Sequence, residues 1–399
     1  MPVGVSLLVA SPAVLTRALL ACYAISIVIH LASIALSTLL PFHVVALGGS
    51  RTQVGLVFSM TTIVSMLIRP VVGDWIDRFG ARRVILPGIV ALTATSIALH
   101  FAGRPETVIA VVAGLGIATA LVSMTGSVMT ARATDTAHRG EALSLYYLSS
   151  SLAIAVATPM AFGLHGLGGM TLVFVSVTGF AAILVALAYV LPASMTSPVG
   201  AGPRGFRPFS RDAVPVSCAL VLTTMGHSSI YAFVPLYAVS RGHGREVVWF
   251  FALYSVWMIV CRALFARVSD RVGRARVALP AMMITALAYF ALAVPPTTAS
   301  LMIAALLLGS GGALLYPTLA ALVVDRATDT ERGLALGTLS AAWDLGVVIG
   351  SALIGFIADR ASFGAGFAVA GLTTLLGAAT FAMAERREPR RALARAAQI

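Results

Sequence analysis

The chain reads as an all-α membrane protein with 12 transmembrane helices in two pseudo-symmetric six-helix bundles. Three observations predict this: an apolar composition, a regular series of long apolar runs, and a repeat relating the first half to the second. Of 399 residues 59% are hydrophobic and only 11% charged, with mean hydropathy +0.96. A soluble chain carries about 25% charged residues, so a water-facing enzyme and a disordered chain are both excluded. The 18 prolines and 36 glycines show no period, as expected where membrane helices are kinked and closely packed.

A membrane helix needs about 20 mostly apolar residues. In the first half such runs fall near 18–40, 52–75, 84–102, 107–131, 141–164 and 171–194. In the second half they fall near 214–238, 247–268, 277–296, 300–325, 333–357 and 365–384. The apolar start, Val3 to Ala10, lacks a basic leader and precedes Arg17, so it reads as an uncleaved N-terminus. The expected domains are residues 1–196, a Pro/Gly/Arg-rich cytoplasmic linker at 197–213, and residues 214–399 ending in a basic tail.

The net charge is +12, and all 27 basic residues are arginines. Their placement argues for membrane topology rather than a nucleic-acid site. With both termini on one side, 20 arginines fall on that side, from Arg17 through Arg78, Arg83 and Arg139 to the tail. Five fall opposite: Arg51, Arg104, Arg241, Arg245 and Arg360. Basic loops stay cytoplasmic, so both termini are expected in the cytoplasm of a bacterial inner membrane. The three cysteines, Cys22, Cys218 and Cys261, lie in apolar runs without CxxC spacing. They read as buried small hydrophobes, and neither a disulfide framework nor a metal site is expected. No cofactor is expected either, since no phosphate loop, metal cluster or nucleophile elbow occurs.

The repeat has an offset of about 193 residues. Arg69 to Val84 reads RPVVGDWIDRFGARRV and Arg262 to Val277 reads RALFARVSDRVGRARV. RATDTAHRG from Arg132 matches RATDTERG from Arg326, and Pro41 matches Pro235. Duplicated six-span halves suggest a carrier whose halves rock around a midplane site.

With these motifs in place, the sequence resembles the major facilitator superfamily over essentially its whole length. The family's loop signature after span 2 appears as Gly73, Asp77, Arg78, Gly80, Arg82 and Arg83. A weaker copy after span 8 keeps Asp270, Arg271, Gly273, Arg274 and Arg276. The resemblance implies the family fold and a gating role for these residues. Asp77 is then expected to accept hydrogen bonds from loop arginines such as Arg139, in a two-state cluster that breaks on opening.

Three ionised side chains lie deep in spans: Arg69, Arg262 and Asp344. Such a charge costs at least about 2.5–3.5 kcal/mol, so it normally meets a partner or a cavity. At 1.5 Å per residue, Asp344 lies roughly 18 Å beyond Arg332, and each arginine roughly 12 Å from its loop aspartate. All three are therefore expected at a central cavity. A carboxylate there, beside arginine, can alternate between paired and protonated forms, as proton coupling requires; a permanent ion pair is the alternative. Two guanidinium groups against one carboxylate favour an anionic or zwitterionic solute. His30, Tyr231, Tyr316 and Trp343 are the expected companions, with Tyr146, Tyr147, Tyr237, Tyr254, Trp257 and His227 also available. Pro317 is expected to break its helix beside Tyr316.

In antiporters of the superfamily span 5 carries a Gly/Pro motif, of which Thr158, Pro159 and Gly163 remain here. The span-4 arginine of many drug antiporters is absent, with Gly114 and Gly116 left. GEALSLYYLSSS (Gly140 to Ser151), FVPLYAVS, LLYPTL and WDLG with Gly350 resemble bacterial exporters of opine-type metallophores, the staphylopine group. The resemblance implies a proton-coupled exporter of a small polar metabolite, working as a monomer. Multidrug/proton antiport and proton-coupled uptake are the alternatives.

Overall fold

The computed structural model describes residues 14–135, 138–191, 209–265, 272–327 and 331–396. Val3 to Ala10, Asp270, Arg271 and most of the expected linker lie outside them, as do the side chains of Arg139 and of the tail beyond Arg386.

Helices hold most of the described residues, and no strand occurs among them. The first half forms α1 (Arg17–Ala46), α2 (Arg51–Phe79), α3 (Ala81–Phe101), α4 (Pro105–Val111), α5 (Ala113–Arg132) and α6 (Arg139–Val190). The second forms α7 (Val214–Thr224), α8 (His227–Ala232), α9 (Val234–Ser240), α10 (Gly244–Phe265), α11 (Arg274–Ala293), α12 (Thr298–Arg326), α13 (Arg332–Arg360) and α14 (Phe363–Ala396). Ten helices are long and apolar enough to span a bilayer, and a bent pair, Val214–Ala232 with Val234–Ser240, makes eleven. The 52-residue α6 contains a non-helical break at Gly168 and Gly169, between the expected fifth and sixth spans. The count is thus consistent with twelve.

The helices present bulky apolar side chains outward, as a lipid-facing surface requires: Phe101 is 79% exposed and Trp249 68%. Cys218, expected to be buried, is exposed. It lies one turn beyond the exposed Val214, so both belong to an outward face of α7.

The chain folds as two compact units. One comprises residues 1–39, 64–103 and 107–203; the other comprises 40–63, 104–106 and 204–399. In the first, α3 packs on α5 and α6. Gly114 permits this approach, since a Cβ there would lie 2.2 Å from Thr95 Oγ1. In the second, α11 packs on α12 and α14, and α7 on α13 and α14. Gly311 repeats the contact, 2.1 Å from Thr285 Oγ1. Each threonine returns its hydroxyl to the carbonyl four residues earlier, Ala91 or Ala281. Without a hydrophobic drive between helices in lipid, small-residue contacts of this kind hold membrane bundles together.

The expected break at Pro317 does not occur: α12 continues through it to Arg326. Proline removes one backbone hydrogen bond, and in a packed membrane helix neighbouring groups can offset that loss. The interruptions come in span 7 instead, between α7 and α8 and at Phe233, where the axis turns by 47°. Pro235 there cannot donate to the carbonyl of Tyr231, four residues back.

Candidate functional site

The second unit holds a connected set of aromatic and polar side chains on four helices. His227, at the start of α8, stands 4.7 Å from the Trp343 ring and 5.9 Å from that of Tyr231, edge-on to both. On its other side Trp343 meets Tyr316 at 5.3 Å, and the Tyr316 hydroxyl lies 2.8 Å from Ser340 Oγ. Tyr231 stacks on Phe251 at 5.6 Å, and its hydroxyl is within electrostatic reach of that of Tyr254. Tyr254 is within electrostatic reach of Arg262. The breaks in span 7 bracket His227 and Tyr231, which explains how two bulky side chains one turn apart clear the helix packing around them.

Asp344 follows Trp343 on α13 and is 5% exposed, a buried carboxylate in a membrane-spanning helix. It takes part in polar or electrostatic interaction, as Arg69 and Arg262 do. Its helix is held in place from α7: the Thr224 hydroxyl donates to the Trp343 carbonyl at 3.3 Å, and Gly346 leaves room for Thr224. His227, Tyr231, Tyr316 and Trp343 are half-buried. Trp257 sits one layer away, donating to Ser310 Oγ at 2.8 Å.

The first unit holds a smaller set. His30 Nδ1 lies 2.7 Å from the Ser26 carbonyl, and Arg69 is within electrostatic reach of the imidazole. Ser26 Oγ donates to the Tyr146 carbonyl at 3.2 Å, and the Tyr146 hydroxyl to the Ser123 carbonyl at 2.6 Å. Of the other expected aromatics, Tyr147 is exposed. Tyr237 bonds the Val294 carbonyl at 3.3 Å and packs on Phe363 and Phe367. Tyr237 joins neither set, whereas the Tyr147 ring meets that of Tyr146 edge-on at 5.6 Å.

The loop signature has a definite local structure. Gly80 and Gly273 adopt φ 85° and 104°, where a Cβ would be strained, and each turns the chain into the next helix. Asp77 pairs with Arg132, at the ends of α2 and α5, and the side chain of the expected Arg139 lies outside the described residues. Arg78 pairs with Asp74 one turn back. Arg82 donates to the carbonyls of Ala188 at 3.2 Å and Leu191 at 2.9 Å, satisfying the open end of α6. Gly73 faces open space and Arg83 is exposed.

The pattern of the Major Facilitator Superfamily matches residues 22–260 and 216–398. The chain belongs to that superfamily. It is 23% identical to a staphylopine export protein of Staphylococcus aureus over 89% of this chain and 92% of that one. It is 29% identical to an uncharacterised MFS-type transporter of Pseudomonas aeruginosa, over 86% of this chain and 87% of the relative. The fold matches that of a nucleoside transporter with TM-score 0.77 at 14% identity, covering 92% of this chain and 99% of the other. It is therefore a multi-pass membrane transporter with the superfamily fold.

Sequence reasoning missed Ser340, Thr224 and Ser310 as members of this neighbourhood. Ser340 had a readable signal: it precedes Asp344 by four residues, one helical turn, and so shares its face. The two others touch through tertiary packing, which no spacing announces.

Proposed function

We propose that this superfamily member is a proton-coupled exporter of a small anionic or zwitterionic metabolite, of the opine-metallophore kind, acting by alternating access. Asp344 is the proton-carrying carboxylate, Arg69 and Arg262 take the solute's carboxylates, and His30, Tyr231, Tyr316 and Trp343 shape the binding surface. The protein moves its solute without chemical change and resides in the bacterial cytoplasmic membrane with both termini inside. The arginine asymmetry supports that orientation, and the staphylopine exporter is the relative that supports the solute class.

The observation that carries this reading is the buried Asp344 carboxylate on α13, beside Trp343 and in the same bundle as Arg262. Ionisable groups inside membrane spans mark ion and substrate pathways because their desolvation cost persists only where function holds them. The test is counterflow in proteoliposomes across an imposed pH gradient, with a panel of zwitterionic multicarboxylates. A lipophilic cation is the control. The multicarboxylates should exchange and the cation should not. Asp344→Asn should remove gradient-driven flux while leaving expression unchanged. Full gradient-driven flux in Asp344→Asn refutes the proton role, and transport of the cation alone favours drug export.

A further inference from the structure

Within the second unit, the start of α2 and the end of α13 meet along a strip of small residues. A Cβ on Gly55 would lie 2.1 Å from the Ser351 carbonyl oxygen, and one on Gly355 would lie 2.6 Å from that of Arg51. The two backbones are therefore in direct contact. Gly55 and Ser59 are one turn apart on α2, as Ser351 and Gly355 are on α13, the small-residue spacing that lets membrane helices approach. Ser59 Oγ lies 2.8 Å from Ser351 Oγ and 2.8 Å from the Val348 carbonyl.

Asp359 closes this seam at one end. Its carboxylate accepts the backbone N–H of Arg51 at 2.8 Å, that of Thr52 at 2.7 Å, and the Thr52 hydroxyl. The first N–H groups of any helix lack intrahelical partners and favour an anion. Here the cap for α2 comes from a helix about three hundred residues further along the chain. Arg51 completes the contact: its guanidinium donates to the Ala358 carbonyl and lies 4.1 Å over the Phe363 ring.

The small residues let the two backbones pack closely, and the Asp359 cap adds charge-assisted hydrogen bonds at one end of that contact. We propose that the Asp359 cap on α2 is a conformational latch, holding α2 to α13 in this state and releasing when the carrier changes state. The inference rests on the alternating-access reading above, but not on the choice of solute.

The test uses full-length protein in proteoliposomes with the three native cysteines changed to serine and Ala358→Cys as reporter. Ala358 has no exposed surface while the seam is closed. Adding Asp359→Asn should raise maleimide labelling at this position by at least about 5-fold through local opening, and Asp359→Glu should raise it less. Oxidising a Ser59→Cys/Ser351→Cys pair should abolish the rise, and reductant should restore it. Unchanged labelling in Asp359→Asn overturns the latch. So does a rise that survives the cross-link, or an equal rise at Ala278→Cys in the distant α11 core, which would mean general loosening. No solute enters the measurement, so a wrong solute class leaves this result readable.

Discussion

The two halves of the repeat kept the same turns and diverged in what those turns hold. Gly80 and Gly273 take the same left-handed conformation at equivalent places. Arg132 and Arg326 also correspond, yet Arg132 pairs with Asp77 on α2 whereas Arg326 binds Glu385 on α14 at 2.7 Å. Arg274, which aligns with Ala81, takes Asp325 at 3.1 Å, whereas Arg82, which aligns with Ala275, caps the end of α6. The interiors differ more. The first bundle offers His30 and Arg69 beside hydroxyls spent on backbone carbonyls. The second offers a chain of rings from Tyr316 through Trp343 and His227 to Tyr231, with Asp344 and Arg262 in the same bundle. Duplication preserved the chain reversals, which steric limits on φ fix, and left the interior free to specialise.

The largest expected effect tests that asymmetry directly. Asp344→Asn should lower proton-driven flux by about 100-fold, equivalent to about 2.7 kcal/mol. His30→Gln, in the first bundle, should lower it by no more than about 3-fold. Comparable losses would mean the two bundles share proton chemistry evenly.

Packing gives the next contrast. A Cβ on Gly226 would lie 2.5 Å from the buried Tyr289 ring, so Gly226→Ala should cost about 1–3 kcal/mol of overpacking. Gly163 in the first bundle has nothing within 4 Å, and Gly163→Ala should be neutral or stabilising by about 0.5–1 kcal/mol through helix propensity. Thermal unfolding in detergent reads both: Gly226→Ala should lower the midpoint, and Gly163→Ala should leave it unchanged or raise it. Gly80→Ala and Gly273→Ala should instead match, each losing about 1–2 kcal/mol, because the same φ strain applies in both copies. Unequal losses there would mean that one turn has relaxed since duplication.

Most of the architecture was legible in the sequence because hydropathy, the arginine bias and a fixed repeat offset are all one-dimensional signals. The turn glycines followed from the repeat alone. Span 7 was harder. Its continuous apolar run concealed two interruptions, and the proline expected to break a helix, Pro317, sits in one that continues. A proline removes one hydrogen bond, and whether the helix breaks depends on neighbours that only the folded chain supplies. The same limit applies to the site. The depth of Asp344 and Arg262 came from counting residues, whereas the edge-on contact of His227 with Trp343 joins positions 116 residues apart and leaves no periodic trace. The pairing of Arg132 with Asp77 was hidden for a similar reason, since several arginines stand equally near the loop.

The smallest effects separate binding from scaffolding within the two aromatic sets. Tyr316 donates to or accepts from Ser340 at 2.8 Å while half-exposed, so water can replace its hydroxyl. Tyr316→Phe should therefore leave stability within about 0.5 kcal/mol and weaken solute affinity by about 2–5-fold. Tyr146 is 2% exposed and donates to the Ser123 carbonyl at 2.6 Å, where no water reaches. Tyr146→Phe removes that second bond to the carbonyl from a dry site, so it should cost about 1 kcal/mol of stability and leave affinity unchanged. Melting curves and solute titrations on both variants decide the matter. If Tyr316→Phe moves stability and Tyr146→Phe moves affinity, the first bundle holds the binding surface and the assignment of roles reverses.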